Sequence, residues 1–386
     1  MLVKILVVDD EPYFERLILQ QFRKNIRAKE YEFFFAENGK DALEKLEKSK
    51  DIDLILSDIN MPVMNGLELI TRLREQNAPP KSIIISAYGD MKNIRAAMNQ
   101  GAYDFVTKPI DFKDLGITIK KAITDIRILR AAEEAQAKLF SIQKELLAAS
   151  QIQQSILPQN FELVEHQSSF SLYAKMLPAK AVGGDFYDFF FIDDQHLGVV
   201  IGDVSGKGMP AALFMAVSRT LLRAIGMQST DAGKCLSMTN QLLCQNNEAS
   251  MFVTVFYGII DLHNHTLSFV SAGHNPPYII HSNQQIKCLD DNQFPALGIV
   301  EDIQFSAKTI PFEKQSTLLL FTDGLTEALN TEQIFFTEER LEAYLANATI
   351  NQAETFVNNI IQEVKQFIES HPPSDDLTVL SLKREQ

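Results

Sequence analysis

Apolar and polar positions alternate in two ways along the first third of the chain. Short apolar runs between polar residues are typical of buried strands, and apolar residues three and four positions apart are typical of helices. The predicted strands cover residues 3–8, 31–36, 52–57, 82–86 and 103–107, and helical stretches between them include 14–22, 40–46 and 67–73. This repeat predicts an α/β doubly wound domain over residues 1–125, with a parallel sheet covered on both faces.

The segment from Leu115 to Leu157 predicts one long helix. Gly116 is its only glycine, and Pro158 ends the pattern. Consecutive steps of three residues around Leu129 interrupt a heptad repeat. The apolar positions otherwise step mostly by three and four, at Ile119, Ala122, Ile126, Leu129, Ala132, Ala135, Leu139, Ile142, Leu146, Ala149 and Ile156.

This helical linker, residues 115–157, has two interpretations. It is either a connector packed on its own domains or a possible coiled coil that forms the stalk of a parallel homodimer. We favour the homodimer, because a long exposed apolar stripe needs a partner surface.

The pattern changes after Phe161 to strands separated by glycine turns. The predicted strands are 169–174, 186–192, 197–203, 253–261, 266–271, 278–281, 317–322 and 377–382, and the predicted helices are 211–225, 234–245, 338–346 and 353–367. Residues 158–386 therefore predict an α+β domain of mostly antiparallel strands.

Charge is distributed unevenly over the two parts. The net charge is −14, and residues 1–130 hold 21 basic against 20 acidic residues, whereas residues 131–386 hold 15 against 30. An acidic second part suits cation binding and argues against direct DNA binding. No apolar run approaches the roughly 18 residues of a membrane span, and the first residues lack the pattern of a signal peptide, so we expect a cytoplasmic protein with no membrane contact.

Acidic residues follow two of the first predicted strands. Asp9 and Asp10 come after the first strand and Asp58 after the third, so three carboxylates converge at one sheet edge. Such a group repels itself unless a divalent cation lies between its members, and Mg²⁺ prefers oxygen ligands. Ser86 and Lys108 end the fourth and fifth strands and add a hydroxyl and an ammonium group, which stabilise a phosphoryl group on Asp58.

Residues 1–125 resemble a response-regulator receiver domain. The matching motifs are Val7-Val8-Asp9-Asp10-Glu11, Leu56-Ser57-Asp58-Ile59-Asn60-Met61-Pro62-Val63-Met64-Asn65-Gly66, Ser86-Ala87 and Lys108-Pro109. The resemblance implies a flavodoxin-like fold, a cis bond before Pro109 and a histidine kinase as partner. It also implies these roles: Asp58 as phosphoacceptor; Asp9, Asp10, Asp58 and Asn60 around Mg²⁺; Ser86 and Lys108 as phosphate contacts; Phe105 as the aromatic switch residue.

A second set of aspartates lies at strand ends in the C-terminal part. Asp185 begins one strand of a predicted hairpin and Asp203 ends the other, so the hairpin brings them together. Asp323 ends a later strand, and Asp375-Asp376 precede the last one. Without histidine or cysteine beside them, these carboxylates favour Mg²⁺ or Mn²⁺ over zinc. Two cations sharing a carboxylate activate a bridging water for direct hydrolysis of a phosphate ester.

The chain from about Ile152 to Lys383 resembles the bacterial branch of the PPM/PP2C serine/threonine phosphatases, the sporulation and stress-response class. The matches are Ser155-Ile156-Leu157-Pro158, Gly183-Gly184-Asp185-Phe186-Tyr187-Asp188, Gly202-Asp203-Val204-Ser205-Gly206-Lys207-Gly208-Met209-Pro210-Ala211-Ala212, Ala272-Gly273-His274-Asn275-Pro276-Pro277, Thr322-Asp323-Gly324-Leu325-Thr326-Glu327-Ala328 and Asp375-Asp376-Leu377-Thr378. The resemblance implies a layered β-sandwich that binds two Mn²⁺ or Mg²⁺ ions. Asp203 is then the bridging ligand, surrounded by Asp185, Asp323, Asp375 and the Val204 carbonyl.

Two site assignments stay open at this point. Spacing alone does not choose between Asp375 and Asp376, although we prefer the first. His274 is a candidate proton donor to the leaving group, because no histidine comes directly after the bridging aspartate Asp203, but a histidine in a glycine-proline turn more often holds the loop.

The two resemblances together predict a response regulator whose Asp58 phosphorylation controls a metal-dependent phosphoserine and phosphothreonine phosphatase. They imply an anti-sigma-factor antagonist as the phosphoserine substrate. The alternative is a catalytically weak, phosphatase-like adaptor that binds a sigma factor or its regulator. All the aspartate positions of the metal cluster are occupied, which favours the enzyme.

Overall fold

The computed structural model describes residues 2–49, 51–75, 79–87, 89–167, 169–245, 247–290 and 294–385. The chain forms two compact units, Met1–Ser141 and Ile142–Gln386, so the boundary falls inside a helix and the predicted domain limits at 125 and 158 stay a prediction. In the described ranges, no helix has both the length and the apolar character that crossing a bilayer requires.

The first unit alternates strands and helices. Its elements are β1 (Val3–Val8), α1 (Pro12–Gln21), α2 (Arg23–Arg27), β2 (Tyr31–Ala36), α3 (Gly39–Lys48), β3 (Leu54–Asp58), α4 (Gly66–Arg74), β4 (Lys81–Ala87), α5 (Met91–Asn99), β5 (Asp104–Lys108) and α6 (Phe112–Ile156), which continues into the second unit.

Local sequence signals explain where several of these helices begin. Pro12 lies in the first turn of α1, where its missing N–H costs no helical hydrogen bond. The Asn38 side chain caps α3 by accepting hydrogen bonds from two backbone amides of its first turn. Asn65 caps α4 in the same way through the amide of Glu68, at 2.9 Å. These caps fix the loops that follow β2 and β3, and the second of these loops follows Asp58.

The five strands form one parallel sheet in the order β2-β1-β3-β4-β5. Helices α1 and α6 cover one face through a core that includes Phe14, Ile18, Leu115 and Ile119, and α3 and α4 lie on the other face. Strands β1 and β2 have the predicted limits. Strand β3 begins two residues later than predicted and includes Asp58, because Asp58 still pairs with Ile85 of β4.

Helix α6 has two parts with different surroundings. Leu115, Ile119, Ala122, Ile123 and Ile126 are buried, and the first four of these belong to the core of the first unit. Residues 131–145 are exposed throughout. The prediction of one continuous seam was therefore wrong for its N-terminal members, which pack on their own sheet. This exposed part carries large apolar side chains at Leu139, Phe140 and Ile142, and Leu147 and Ile152 beyond it are exposed as well.

The second unit is built mostly of antiparallel strands, as predicted. After α6 its elements are α7 (Glu162–Gln167), β6 (Phe170–Leu177), β7 (Phe186–Asp193), β8 (His196–Val204), α8 (Met209–Gly226), α9 (Ala232–Cys244), β9 (Val253–Asp261), β10 (Thr266–Ala272), β11 (Tyr278–Ile280), β12 (Ile286–Cys288), β13 (Lys308–Pro311), β14 (Thr317–Phe321), α10 (Asp323–Thr326), α11 (Glu338–Leu345), α12 (Ala353–Ile368) and β15 (Leu377–Arg384).

Two sheets of this unit form a sandwich. One has the order β13-β10-β9-β8-β7 and the other β12-β11-β14-β15-β6. A shared core joins residues of both sheets, such as Val199 and Phe256 of the first with Leu318 and Leu380 of the second. Helices α8 and α9 pack on the first sheet, whereas α11 and α12 cover the outer face of the second. The order of layers is therefore helix, sheet, sheet, helix.

Candidate phosphoacceptor and metal sites

The first site lies at the carboxyl edge of the parallel sheet. Asp9, Asp10 and Asp58 each offer a carboxylate oxygen within 4.8 Å of the other two. Asp9 accepts a hydrogen bond from the Glu11 amide at 2.8 Å, and Asp58 accepts one from the Ile59 amide at 2.7 Å. These bonds fix Oδ1 of each carboxylate.

Lys108 and Ser86 complete this edge, as the sequence predicts. The Lys108 ammonium lies 2.6 Å from Asp58 Oδ2 and 3.5 Å from Asp9 Oδ2. The Ser86 hydroxyl is fully buried and makes no hydrogen bond. A buried hydroxyl without a partner is costly unless another group occupies the site in function. The bond before Pro109 is cis, as expected.

Electrostatics at this edge favours additional positive charge. Burial raises the pKa of Asp9, although the Glu11 amide and the Lys108 charge offset part of the effect. Burial lowers the pKa of Lys108, but the hydrogen bond to Asp58 and the charges of Asp58 and Asp9 outweigh it, so the net shift is upward. The donor set is therefore all oxygen, is short of cations and fits Mg²⁺.

The second site takes its residues from both sheets of the sandwich. Asp185 immediately precedes β7, and Phe186 pairs with Gly202 of β8, so Asp185 and Asp203 lie at the same end of one hairpin. The other sheet contains the neighbouring strands β14 and β15. Asp323 follows β14, and Asp375 and Asp376 precede β15. Charge interactions link Asp203 with Asp323 and Asp323 with Asp375. In the part of the chain that the structure describes, however, only Asp9, Asp10 and Asp58 form a group of three potential ligands within 4.8 Å of one another, so a shared metal site at these later aspartates stays a prediction.

Asp185 is held from the opposite sheet. It is 1% exposed, and its Oδ2 accepts hydrogen bonds from the hydroxyls of Thr322 and Thr378, both at 2.7 Å. The Thr378 amide in turn donates to the Thr322 hydroxyl at 3.0 Å. Sequence reasoning assigned no role to these threonines, although both lie inside the quoted motifs. Their function depends on contacts between residues 137 and 193 positions apart.

The structure distinguishes Asp375 from Asp376. Asp376 accepts backbone hydrogen bonds at both oxygens, from Ala179 at 2.8 Å and from Gly184 at 2.6 Å. Asp375 lies 2.7 Å from the Lys207 ammonium and is more exposed. The geometry supports Asp375 as the cation ligand and Asp376 as the residue that organises the loop before Asp185.

The carboxylates of this site repel one another. Burial, followed by the charge of Asp203, raises the pKa of Asp185 well above its usual value. Burial and Asp323 raise the pKa of Asp203 to about 7, and burial and Asp375 raise that of Asp323 to about 6. Lys207 is paired with Asp375, and this hydrogen bond raises the lysine pKa. An all-oxygen set with this excess of negative charge fits divalent cations.

His274 lies in the core rather than on the rim. Its ring is 1% exposed, and Nδ1 lies 2.9 Å from the Thr254 hydroxyl. Burial lowers its pKa from 6.5 to about 4, and the Phe321 backbone offsets only part of this shift. A neutral, enclosed imidazole is poorly suited to protonate a leaving group, so this geometry favours the structural role over the catalytic one.

We therefore expect a measurable acid effect on stability from His274. The unfolded chain gains a proton as pH falls through about 6.5, whereas the folded chain does not until about 4, so stability declines in this window. The native protein should lose up to about 3 kcal/mol more than His274→Asn between these pH values. Thermal unfolding followed against pH measures the difference.

The pH profile of phosphate release gives the independent readout for His274. The rate should rise and fall over the same pH ranges in His274→Asn as in the native protein, since a buried neutral ring donates no proton. Loss of one limb in the variant, with its fold retained, would restore His274 as the proton donor.

The two folds and their sites define a class: a phosphoacceptor receiver domain joined to a PP2C-type protein serine/threonine phosphatase domain. Residues 193–385, half of the chain, match the family of stage II sporulation protein E (SpoIIE), and residues 5–120 match the response regulator receiver domain. The chain belongs to the SpoIIE family and carries a receiver domain N-terminal to the family domain. The SpoIIE match begins at Asp193 and so leaves Asp185 outside it.

The proteins and solved structures that this chain resembles include two bacterial proteins and one phosphatase domain. Protein IcfG of Synechocystis is 32% identical over 62% of this chain and 41% of its own length. Phosphoserine phosphatase RsbU of Bacillus subtilis is 26% identical over 80% of this chain and 88% of its own length. The SiaA-PP2C domain of Pseudomonas aeruginosa shares the fold, with a TM-score of 0.57 and 23% identity over 64% of this chain and 98% of that domain. The chain thus spans less than half of the first relative and most of the second.

Proposed function

We propose that this protein removes phosphate from serine or threonine of a partner protein by direct, metal-dependent hydrolysis. The observation that carries the proposal is the rim where Asp185 and Asp203 of one sheet meet Asp323 and Asp375 of the other. Similarity to phosphoserine phosphatase RsbU supports the same activity. In this proposal the active centre uses only oxygen ligands and no phosphoenzyme forms.

Each residue of the rim has a separate role in this proposal. Asp203, with the Val204 carbonyl beside it, would bridge two Mn²⁺ or Mg²⁺ ions, and Asp185, Asp323 and Asp375 would hold them from the sides. When bound, the ions supply an activated water and neutralise the phosphate charge. The threonine hydroxyls fix the orientation of Asp185 through Oδ2, and Oδ1 would then be the oxygen that binds a cation.

The receiver domain implies a phosphodonor, and we propose that a histidine kinase phosphorylates Asp58 with Mg²⁺ held by Asp9, Asp10, Asp58 and Asn60. The phosphoryl group would draw in the Ser86 hydroxyl and Lys108, with Phe105 as the aromatic switch. Helix α6 then carries the change, since its first turns lie in the core beside this sheet and it runs unbroken to Ile156. Phosphorylation thereby controls the phosphatase.

We also propose a homodimer formed by a coiled coil of the exposed part of α6. Residues 131–145 are exposed throughout, and Leu139, Phe140 and Ile142 are each at least 45% exposed. Apolar side chains that are contiguous along a helix and unburied favour association with a second copy. In a parallel pair the two copies of α6 would run in the same direction, side by side.

We propose an anti-sigma-factor antagonist, phosphorylated on serine, as the substrate. The sequence motifs of the sporulation and stress-response class support this choice. The test compares phosphate release from phosphoserine and phosphotyrosine proteins by the full chain with Mn²⁺, and captures the natural partner with Asp203→Asn. Release from phosphoserine alone supports the proposal. Capture of a partner without any release by the native chain would instead support the adaptor.

A further inference from the structure

Gln153 is a buried polar residue near the C-terminal end of α6. It is 6% exposed, whereas Gln154 beside it is exposed. Its side-chain amide makes two hydrogen bonds with the backbone of one residue. Nε2 donates to the Gly183 carbonyl at 2.6 Å, and the Gly183 amide donates to Oε1 at 3.0 Å. Both ends of the buried amide are therefore satisfied, which specifies one relative position of helix and loop.

The partner of Gln153, Gly183, lies in the loop between β6 and β7, two residues before Asp185. The next amide in this loop, that of Gly184, donates to Asp376 Oδ2 at 2.6 Å. A Cβ atom at position 183 would lie 2.3 Å from the same oxygen, so the loop passes directly against the Asp376 carboxylate. Gln153 therefore holds the backbone two residues before Asp185. The same stretch of backbone is held by the Asp376 carboxylate.

We propose that Gln153 is a positioning residue through which helix α6 sets the cation affinity of the phosphatase site. A displacement of the helix end by about 1 Å lengthens both hydrogen bonds beyond their useful range. Two consecutive glycines have no side chain to hold the loop in place, so the loop then leaves its present conformation and takes Asp185 with it. The inference rests on the proposed metal-dependent phosphatase activity. It names the hydrogen bonds between Gln153 and Gly183 as the contact through which α6 regulates that activity.

The variant Gln153→Met tests this contact in the full chain, because methionine keeps the length and volume of the side chain but makes neither hydrogen bond. Gln154→Met is the matched control on the exposed neighbour. Mn²⁺ titrations followed by electron paramagnetic resonance report binding independently of activity. The receiver site would also bind Mn²⁺, so the binding that is lost in Asp203→Asn identifies the part of the titration that belongs to the phosphatase site.

Gln153→Met should raise the Mn²⁺ concentration for half-saturation about 10- to 100-fold, the range seen when a group behind a metal ligand is removed. The rate at saturating Mn²⁺ should stay close to the native rate, and Gln154→Met should match the native protein in both respects. Unchanged Mn²⁺ binding by Gln153→Met would overturn the proposal, whatever happens to activity.

A second variant covers the case in which Gln153→Met does not fold, as judged by circular dichroism. Gln153→Asn keeps the amide but is one methylene shorter, and it should weaken Mn²⁺ binding in the same direction; native binding by this variant would also overturn the proposal. Failure of the proposed function looks different. The native chain would then bind Mn²⁺ without releasing phosphate from a phosphoserine protein, while the titration still decides the role of Gln153.

Discussion

Asp203→Asn should lower phosphate release from a phosphoserine protein at least about 1000-fold at saturating Mn²⁺, since each loss of about 1.4 kcal/mol of transition-state stabilisation is tenfold in rate. Asp203 interacts with Asp185 of its own hairpin and with the charges of Asp323 and Asp375. Burial together with Asp323 raises its pKa to about 7. An amide at this position removes the negative charge that would hold two cations. Initial rates of phosphate release measure the effect.

The control for this variant makes the same chemical change elsewhere on the hairpin. Asp194 is an exposed aspartate in the turn between β7 and β8. Asp194→Asn should keep the native rate and the native unfolding temperature. If Asp203→Asn and Asp194→Asn released phosphate equally fast, the metal-dependent mechanism at this rim would be wrong.

Asp58→Ala should abolish phosphorylation of the chain by a small phosphodonor such as acetyl phosphate. Asp58 Oδ2 is the oxygen that faces the Lys108 ammonium, at 2.6 Å. Lys108→Ala should leave phosphorylation possible but slow it about 100-fold, because a preorganised charge next to the transferred group is lost. Incorporation of labelled phosphate, with and without Mg²⁺, measures both effects.

An exposed aspartate again supplies the control. Asp114 lies on the surface of the first turn of α6, and Asp114→Asn should be phosphorylated at the native rate. Label that persists in Asp58→Ala would place the phosphoacceptor at another residue. Label that is lost equally in Asp114→Asn would point to a general defect rather than to the site.

The sequence predicted those parts of the fold whose signal is local. Strand β1 and strand β2 have the predicted limits because each is a run of apolar residues with polar neighbours. The short strands β12 and β13 were not predicted, since they are largely exposed and lack a regular apolar alternation. The exposed seam of α6 was placed too early, because residues such as Ile119 face their own sheet with the spacing that a coiled coil also uses.

For the site residues, too, the sequence indicates only what depends on local signals. The sequence places all these carboxylates at strand ends. In the first unit those ends share the edge of one sheet, whereas in the second unit they come from two sheets, which no local signal specifies. The partners Thr322 and Gln153 were not predictable, because their roles arise from hydrogen bonds to Asp185 and Gly183, far away in sequence. The choice between Asp375 and Asp376 required the backbone amides that surround the second of them.

The central claim is that the state of Asp58 governs the phosphatase site. Its direct measurement is the initial rate of phosphoserine hydrolysis by the full chain with and without beryllium fluoride, which binds the receiver aspartate as a stable phosphoryl mimic. The rate should change at least about fivefold, the lower end of usual allosteric coupling, in the native chain and should not change in Asp58→Ala. Equal rates in the native chain, with the mimic bound, would contradict this claim.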